Sequence, residues 1–162
     1  MPTDVAPDTP LTRLGGETRP LSAWTTTFHL ALVVLDPYTY ESAWILDTAG
    51  RILRSFAEAD CRTAFLVTCD ADDARSFLGP WAQELLAFVD PERVAVKAFG
   101  LEALPAFVHI NQGNQIEGVA EGWDPRAWAA VASNLAERMS WRAPLIPQPG
   151  DPSPYAGTPA LT

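Results

Sequence analysis

Apolar residues recur along the chain with two periods, and the alternation between them sets out the elements. Phe28 to Leu35 is an unbroken apolar run of strand length, as expected of a strand covered on both faces. Asp36-Pro37-Tyr38 breaks it. From Glu41 to Glu58 the spacing becomes helical: Ile45, Ala49, Ile52, Leu53 and Phe56 form a stripe, with Arg51, Arg54, Ser55 and Glu58 around the polar side. Arg62 to Thr68 predicts a second buried strand. A helix follows, with Asp70 or Asp72 as its N-cap and a stop near Gly79-Pro80. Glu84 to Val89 predicts a third strand. Asp90-Pro91 pairs an N-cap with a proline at the first helical position, opening a short helix that runs to Phe99.

Gly100 ends that helix. Pro105 precedes an apolar strand, Ala106 to Ile110, then Asn111-Gln112-Gly113-Asn114 makes a hairpin turn and Gln115 begins the return. Trp123-Asp124-Pro125 repeats the helix-start signal, and Trp128, Val131, Leu135 and Met139 mark the buried stripe of a last helix. Near the start, Leu11 to Trp24 reads as a hairpin around Gly15-Gly16. Strands alternating with helices, then a hairpin and a closing helix, predict an α/β fold: a mixed central sheet with helices on both faces and an N-terminal hairpin extension. The expected organisation is a flexible N-terminus over 1–10, one domain over 11–140, and a Pro-rich tail over 141–162, which cannot form a packed element alone. Trp141, Leu145 and Ile146 could dock that tail on the domain.

A chain of 162 residues can bury a full core, and 48% hydrophobic content fits a soluble globular domain. The net charge of −9 makes nucleic acid and anionic membrane poor partners. The first residues have neither a basic region nor an apolar run, and no apolar stretch of about 18 residues follows, so the cytoplasm is the expected location.

The stretch Val96 to Ile110, with Leu104-Pro105 ahead of the strand and the Asn111–Asn114 turn after it, resembles the corresponding segment of the thioredoxin-like superfamily, in its redoxin branch (AhpC/TSA and TlpA-like thiol-disulfide oxidoreductases). Leu11 to Trp24 is similar to the redoxin entry hairpin. The resemblance spans about residues 11–140, in pattern more than in identities. It implies a cis Pro105 lying beside the catalytic cysteines, and a Leu104 whose exposed backbone would pair with an extended peptide. It also implies that the reactive corner is where the first long strand turns into its helix. There a Cys at the helix N-terminus would have its pKa lowered by the dipole and the free N–H groups.

That corner holds no thiol. One register puts Thr39 and Ser42 at the two cysteine positions, with Tyr38 as the preceding aromatic; a slide by three residues puts Asp36 and Thr39 there. A hydroxyl needs an adjacent base to act as a nucleophile. Of the two histidines, His29 opens the first strand at the far end of the sheet, and His109 is four residues past Pro105, roughly 13 Å along an extended strand. Both are expected to be strand residues with structural partners. Cys61 and Cys69 flank the Arg62–Thr68 strand, roughly 26 Å apart if it is extended, so they cannot pair. Cys69 alone falls at the end of the sheet carrying Thr39.

Two functions follow as expectations. The first is a non-catalytic module binding a protein or extended peptide through Pro37, Tyr38, Tyr40, Leu104 and Pro105. The second is an atypical oxidoreductase or peroxidase using Cys69 with an external thiol. A homodimer is compatible with either. No cofactor and no metal are expected.

Overall fold

A computed structural model of the chain describes residues 2–161. Its elements are β1 (Thr3–Asp4), β2 (Pro10–Arg13), β3 (Thr18–Pro20), α1 (Leu21–Thr25), β4 (His29–Leu35), α2 (Tyr40–Arg54), β5 (Cys61–Val67), α3 (Ala71–Leu78), α4 (Trp81–Glu84), β6 (Leu86–Val89), α5 (Val94–Ala98), β7 (Ala103–Leu104), β8 (Ala106–Ile110), β9 (Gln115–Glu121), α6 (Pro125–Met139) and β10 (Thr158–Pro159). The main sheet runs β1-β9-β8-β4-β5-β6-β2-β3. β4, β5 and β6 are parallel to one another; β8 and β9 add on antiparallel to one side, and the β2–β3 hairpin extends the other.

The central strand explains the layering. Side chains alternate across a strand, so Ala31, Val33 and Leu35 face one core while Leu30, Leu32 and Val34 face the other. The first core is closed by Ile45, Ala49, Ile52 and Leu53 of α2, Ala74 and Leu78 of α3, and Trp128, Val131 and Leu135 of α6. The second is closed by Leu21 and Trp24 of α1, and by Ala95, Val96 and Phe99 in and beside α5. All six of these β4 residues are inaccessible to solvent. That accounts for a run with no polar face.

Several boundaries differ from the sequence reading. The third strand begins at Leu86, because Pro80 nucleates the one-turn helix α4, which runs through Glu84. Asp90 caps the helix predicted there, but from outside it: its carboxylate accepts from the N–H groups of Val94, Ala95 and Val96, and Pro91 lies in the intervening turn. Of the two candidates for the α3 cap, Asp70 takes the position, accepting from the Asp73 N–H.

The two ends of the chain differ most. The N-terminus is built in rather than loose. Thr3 and Asp4 pair with Ile116 and Gln115, the Val5 N–H donates to the Asn114 carbonyl, and Val5 is buried. The tail is extended and attached along its length. Trp141 Nε1 donates to the Ser55 carbonyl at 2.8 Å, Trp123 Nε1 to the Pro152 carbonyl at 2.8 Å, and Trp123 and Tyr155 exchange backbone hydrogen bonds of 2.8 and 3.1 Å. Leu145, expected to help dock it, is exposed, and only its carbonyl takes part, accepting from Arg51.

Asp151 is the main polar anchor of the tail. Its carboxylate accepts from Arg51 at 2.6 Å, from Thr48 Oγ1 at 2.9 Å and from the Gln148 N–H at 2.8 Å. Burial alone would raise its pKa, but these bonds outweigh it and hold the carboxyl below the usual aspartate value. A depressed native pKa stabilises the ionised, docked form. That contribution is complete above the unfolded-chain value of about 3.9 and is lost as pH falls through the lower native value. Tryptophan emission followed during acid titration is expected to report tail release below about pH 3.9 in the native chain, and no such step in Asp151→Asn.

Candidate functional site

β4 ends at Leu35 and delivers Asp36 to the corner. The backbone then turns through Pro37 and Tyr38 into α2. Thr39 is the helix N-cap: its hydroxyl accepts from the Ser42 N–H at 3.4 Å and donates to the Asp36 carbonyl at 2.9 Å. Ser42 is fully buried, and its hydroxyl accepts from the Asp36 N–H at 2.9 Å. Both hydroxyls are therefore committed to holding the turn. Neither is hydrogen-bonded to an imidazole or an amine among the described residues. The Asp36 carboxylate accepts from the Tyr38 N–H at 3.0 Å and pairs with Arg93 at 3.0 Å.

The antiparallel register of β4 and β8 sets Val34 opposite Ala106. This brings Pro105 to the same end of the sheet as Asp36 and Thr39. The Leu104–Pro105 peptide bond is cis. The expectation that Leu104 would offer an open backbone edge is corrected: Leu104 is fully buried, and β10 is paired antiparallel with it, Thr158 opposite Leu104 and Pro159 opposite Ala103. The Ala160 N–H donates to the Glu102 carbonyl at 2.9 Å, extending the ladder.

The same strap reaches the helix side of the corner. Tyr155 donates its hydroxyl proton to the Glu41 carbonyl, and its ring packs edge-on against Trp44 at 5.6 Å. Arg93 ties the two halves together, with one guanidinium nitrogen on Asp36 and the other on the Ala160 carbonyl. Nothing in the local pattern announces this strap, because its pairing partner lies more than 50 residues away and the tail has no periodicity of its own.

The other candidates separate from one another. Tyr38 and Tyr40 are 67% and 77% exposed. Tyr38 donates to Asp73, which pushes its phenol up to about 12; Tyr40 stacks on Trp44 at 6.3 Å. Pro37 is half-buried in the turn. Cys69 does lie at this end of the sheet, just past β5, but its surroundings oppose thiolate chemistry. It is 2% exposed, and burial, then the carboxylates of Asp73, Asp70 and Asp36, push the thiol up to about 12. A reactive cysteine needs positive neighbours and access. Cys61 lies at the opposite end, in register with His29, and burial raises it to about 11.

His29 and His109 meet each other. His29 Nδ1 and His109 Nε2 are 2.8 Å apart, on the face of the sheet covered by α6. His109 is fully buried; burial lowers its pKa to about 4, against the opposing pull of Glu117. The register of the two strands was the signal that could have predicted this pairing, since Ala31 lies opposite His109 and His29 is the next same-face residue.

Neither a family model nor a curated relative matches the chain. Solved structures do. A Chlorobium tepidum protein assigned as thiol:disulfide interchange protein DsbE superposes with a TM-score of 0.69 at 17% identity, over 86% of this chain and 98% of that one. This is a thioredoxin-like fold. Xanthomonas campestris peroxiredoxin Q follows with a TM-score of 0.66, 13% identity and coverage of 85% and 96%. A secreted Mycobacterium tuberculosis disulfide oxidoreductase gives 0.60, 16%, and 82% and 95%. The thioredoxin-like fold predicted from the Pro105 segment and the strand order is therefore the fold observed. No described helix is long and apolar enough to cross a membrane.

Proposed function

We propose that this thioredoxin-like chain is a peptide-binding module without dithiol chemistry, and that its own residues 155–160 occupy the binding edge until a partner displaces them. The observation that carries the reading is the antiparallel pairing of β10 with β7 beside Pro105. Adding a strand to a sheet edge is a general mode of peptide recognition, in which main-chain hydrogen bonds give affinity. The names of the structural neighbours point to thiol exchange and peroxide reduction as ancestral activities. The window from Leu35 to Ser42 has no cysteine, so the step those names imply has no sulfur at this corner. The two unpaired cysteines suit a reducing compartment, which supports a cytoplasmic setting.

A tethered segment is held at an effective concentration on the order of millimolar. A partner must therefore bind the bare edge well below that level, or arrive with the tail already released. The test uses a chain ending at Pro147 and a labelled peptide of residues 148–162. Saturable binding in anisotropy, abolished when the peptide carries valine in place of Gly157, is the expected result. A truncated chain that keeps its native circular dichroism yet fails to bind the peptide would overturn the proposal.

A further inference from the structure

We propose that His29, His109 and Glu117 form a zinc-type divalent metal site at the end of the sheet remote from the Thr39 corner. Each offers one ligand atom, and the three atoms lie within 4.8 Å of one another. They come from three adjacent strands, β4, β8 and β9; the β4–β8 register places the two histidines, and Glu117 is the extra residue of a β-bulge opposite His109 and Ile110. Sites supported on strands keep ligand geometry better than sites on loops.

The burial of His109 is what calls for a ligand. It is the one polar side chain in β8, Ala106 to Ile110, and it is fully buried. Its Nε2 meets only His29, and its Nδ1 has no hydrogen-bond partner. The protein itself thus compensates this ring with a single neutral hydrogen bond. A metal ion drawn between the imidazoles would replace that bond with two stronger ones. Two imidazoles and a carboxylate are the donor set of open zinc sites, with the fourth position left to solvent. The same set suits cobalt and nickel, whereas magnesium and calcium prefer oxygen ligands alone. His29 is only half-buried, which leaves an entry path, whereas the Glu117 side chain is 5% exposed and approaches from within the α6 face.

Arg138 is the competing partner. It donates to Glu117 Oε1 at 2.8 Å, while Asn134 reaches the same oxygen at 3.3 Å and Asn111 reaches Oε2 at 3.0 Å. The Arg138 side chain is 53% exposed, so it can turn into solvent or stay on one oxygen while the other takes the metal. Hydrogen bonds from outer groups to a ligating carboxylate orient it rather than exclude the ion.

The test is calorimetric titration of zinc into the full chain after chelator treatment, with cobalt absorption as a second readout. Expected are one ion per chain and a tetrahedral cobalt spectrum. His29→Ala and Glu117→Gln should each weaken binding by at least about tenfold, and Arg138→Gln should leave it unchanged or tighter. The Glu117 carboxylate is buried and accepts from Asn111, Asn134 and Arg138, so both variants are checked for native circular dichroism before titration. Absence of zinc heat and of a cobalt spectrum would overturn the proposal. So would equal affinity in the His29 and Glu117 variants, or a thiolate-to-cobalt band, which would put a cysteine, Cys61 beside His29 or the remote Cys69, in place of the proposed donor set.

Discussion

Gly157→Val is expected to unseat the C-terminal strand while leaving the domain folded. Gly157 has φ +89°, and a Cβ there would lie 2.6 Å from the Leu104 carbonyl oxygen. The obstacle is backbone on the central side of the pairing, so no side chain can yield. A branched residue must also occupy a conformation that typically costs about 1–3 kcal/mol. Gly122, on the other side of the contact, has the same problem against Ala156, which shows how closely the two backbones approach. The variant should exchange the amide hydrogens of Trp123, Tyr155 and Ala160 about 5- to 150-fold faster, the range that 1–3 kcal/mol implies. The amides of β4 and β5 should keep their protection, because neither strand touches the tail ladder. Unchanged exchange at the three tail-ladder amides would show that the strap is not held by this contact, and the proposed competition with a partner would lose its basis.

The second large effect concerns Cys69. A thiol pushed up to about 12 has on the order of a thousandfold less thiolate at pH 8 than an ordinary cysteine near 8.5. Higher intrinsic nucleophilicity returns part of that, leaving alkylation about fifty-fold slower before access is considered. With 2% exposure, iodoacetamide labelling of the native chain should fall further still. Labelling should rise with pH up to the limit of the folded state and should become fast on unfolding. Insulin reduction with an external thiol should proceed at the same background rate in the native chain and in Cys69→Ser. Rapid labelling at neutral pH, or turnover lost in Cys69→Ser, would favour the oxidoreductase reading over the binding module.

The domain was legible in the sequence because its signals are local. The β4 run, the stripe of α2 and the Asp124-Pro125 start of α6 each follow from neighbouring residues, and each appears in the structure within a few positions. The fold then came from the order of those elements together with the Pro105 segment. The site was legible only in part. Thr39 and Ser42 could be placed at the corner, but their roles as cap and turn acceptor depend on backbone geometry. Two contacts were out of reach. The strap depends on Gly157 and Gly122 allowing backbones to touch, and the histidine pair depends on inter-strand register. Both join residues 30 to 80 positions apart, where periodicity is silent.

β4 gives its odd-numbered side chains to one core and its even-numbered side chains to the other. The strand consequently has a reading frame. Deleting a single residue within it would invert every side chain on one side of the gap: either the residues toward Leu35 turn to the wrong layer, or His29 swings across the sheet, away from His109. Length changes in this chain can be absorbed by its connecting turns, whereas its middle strand admits them only in pairs.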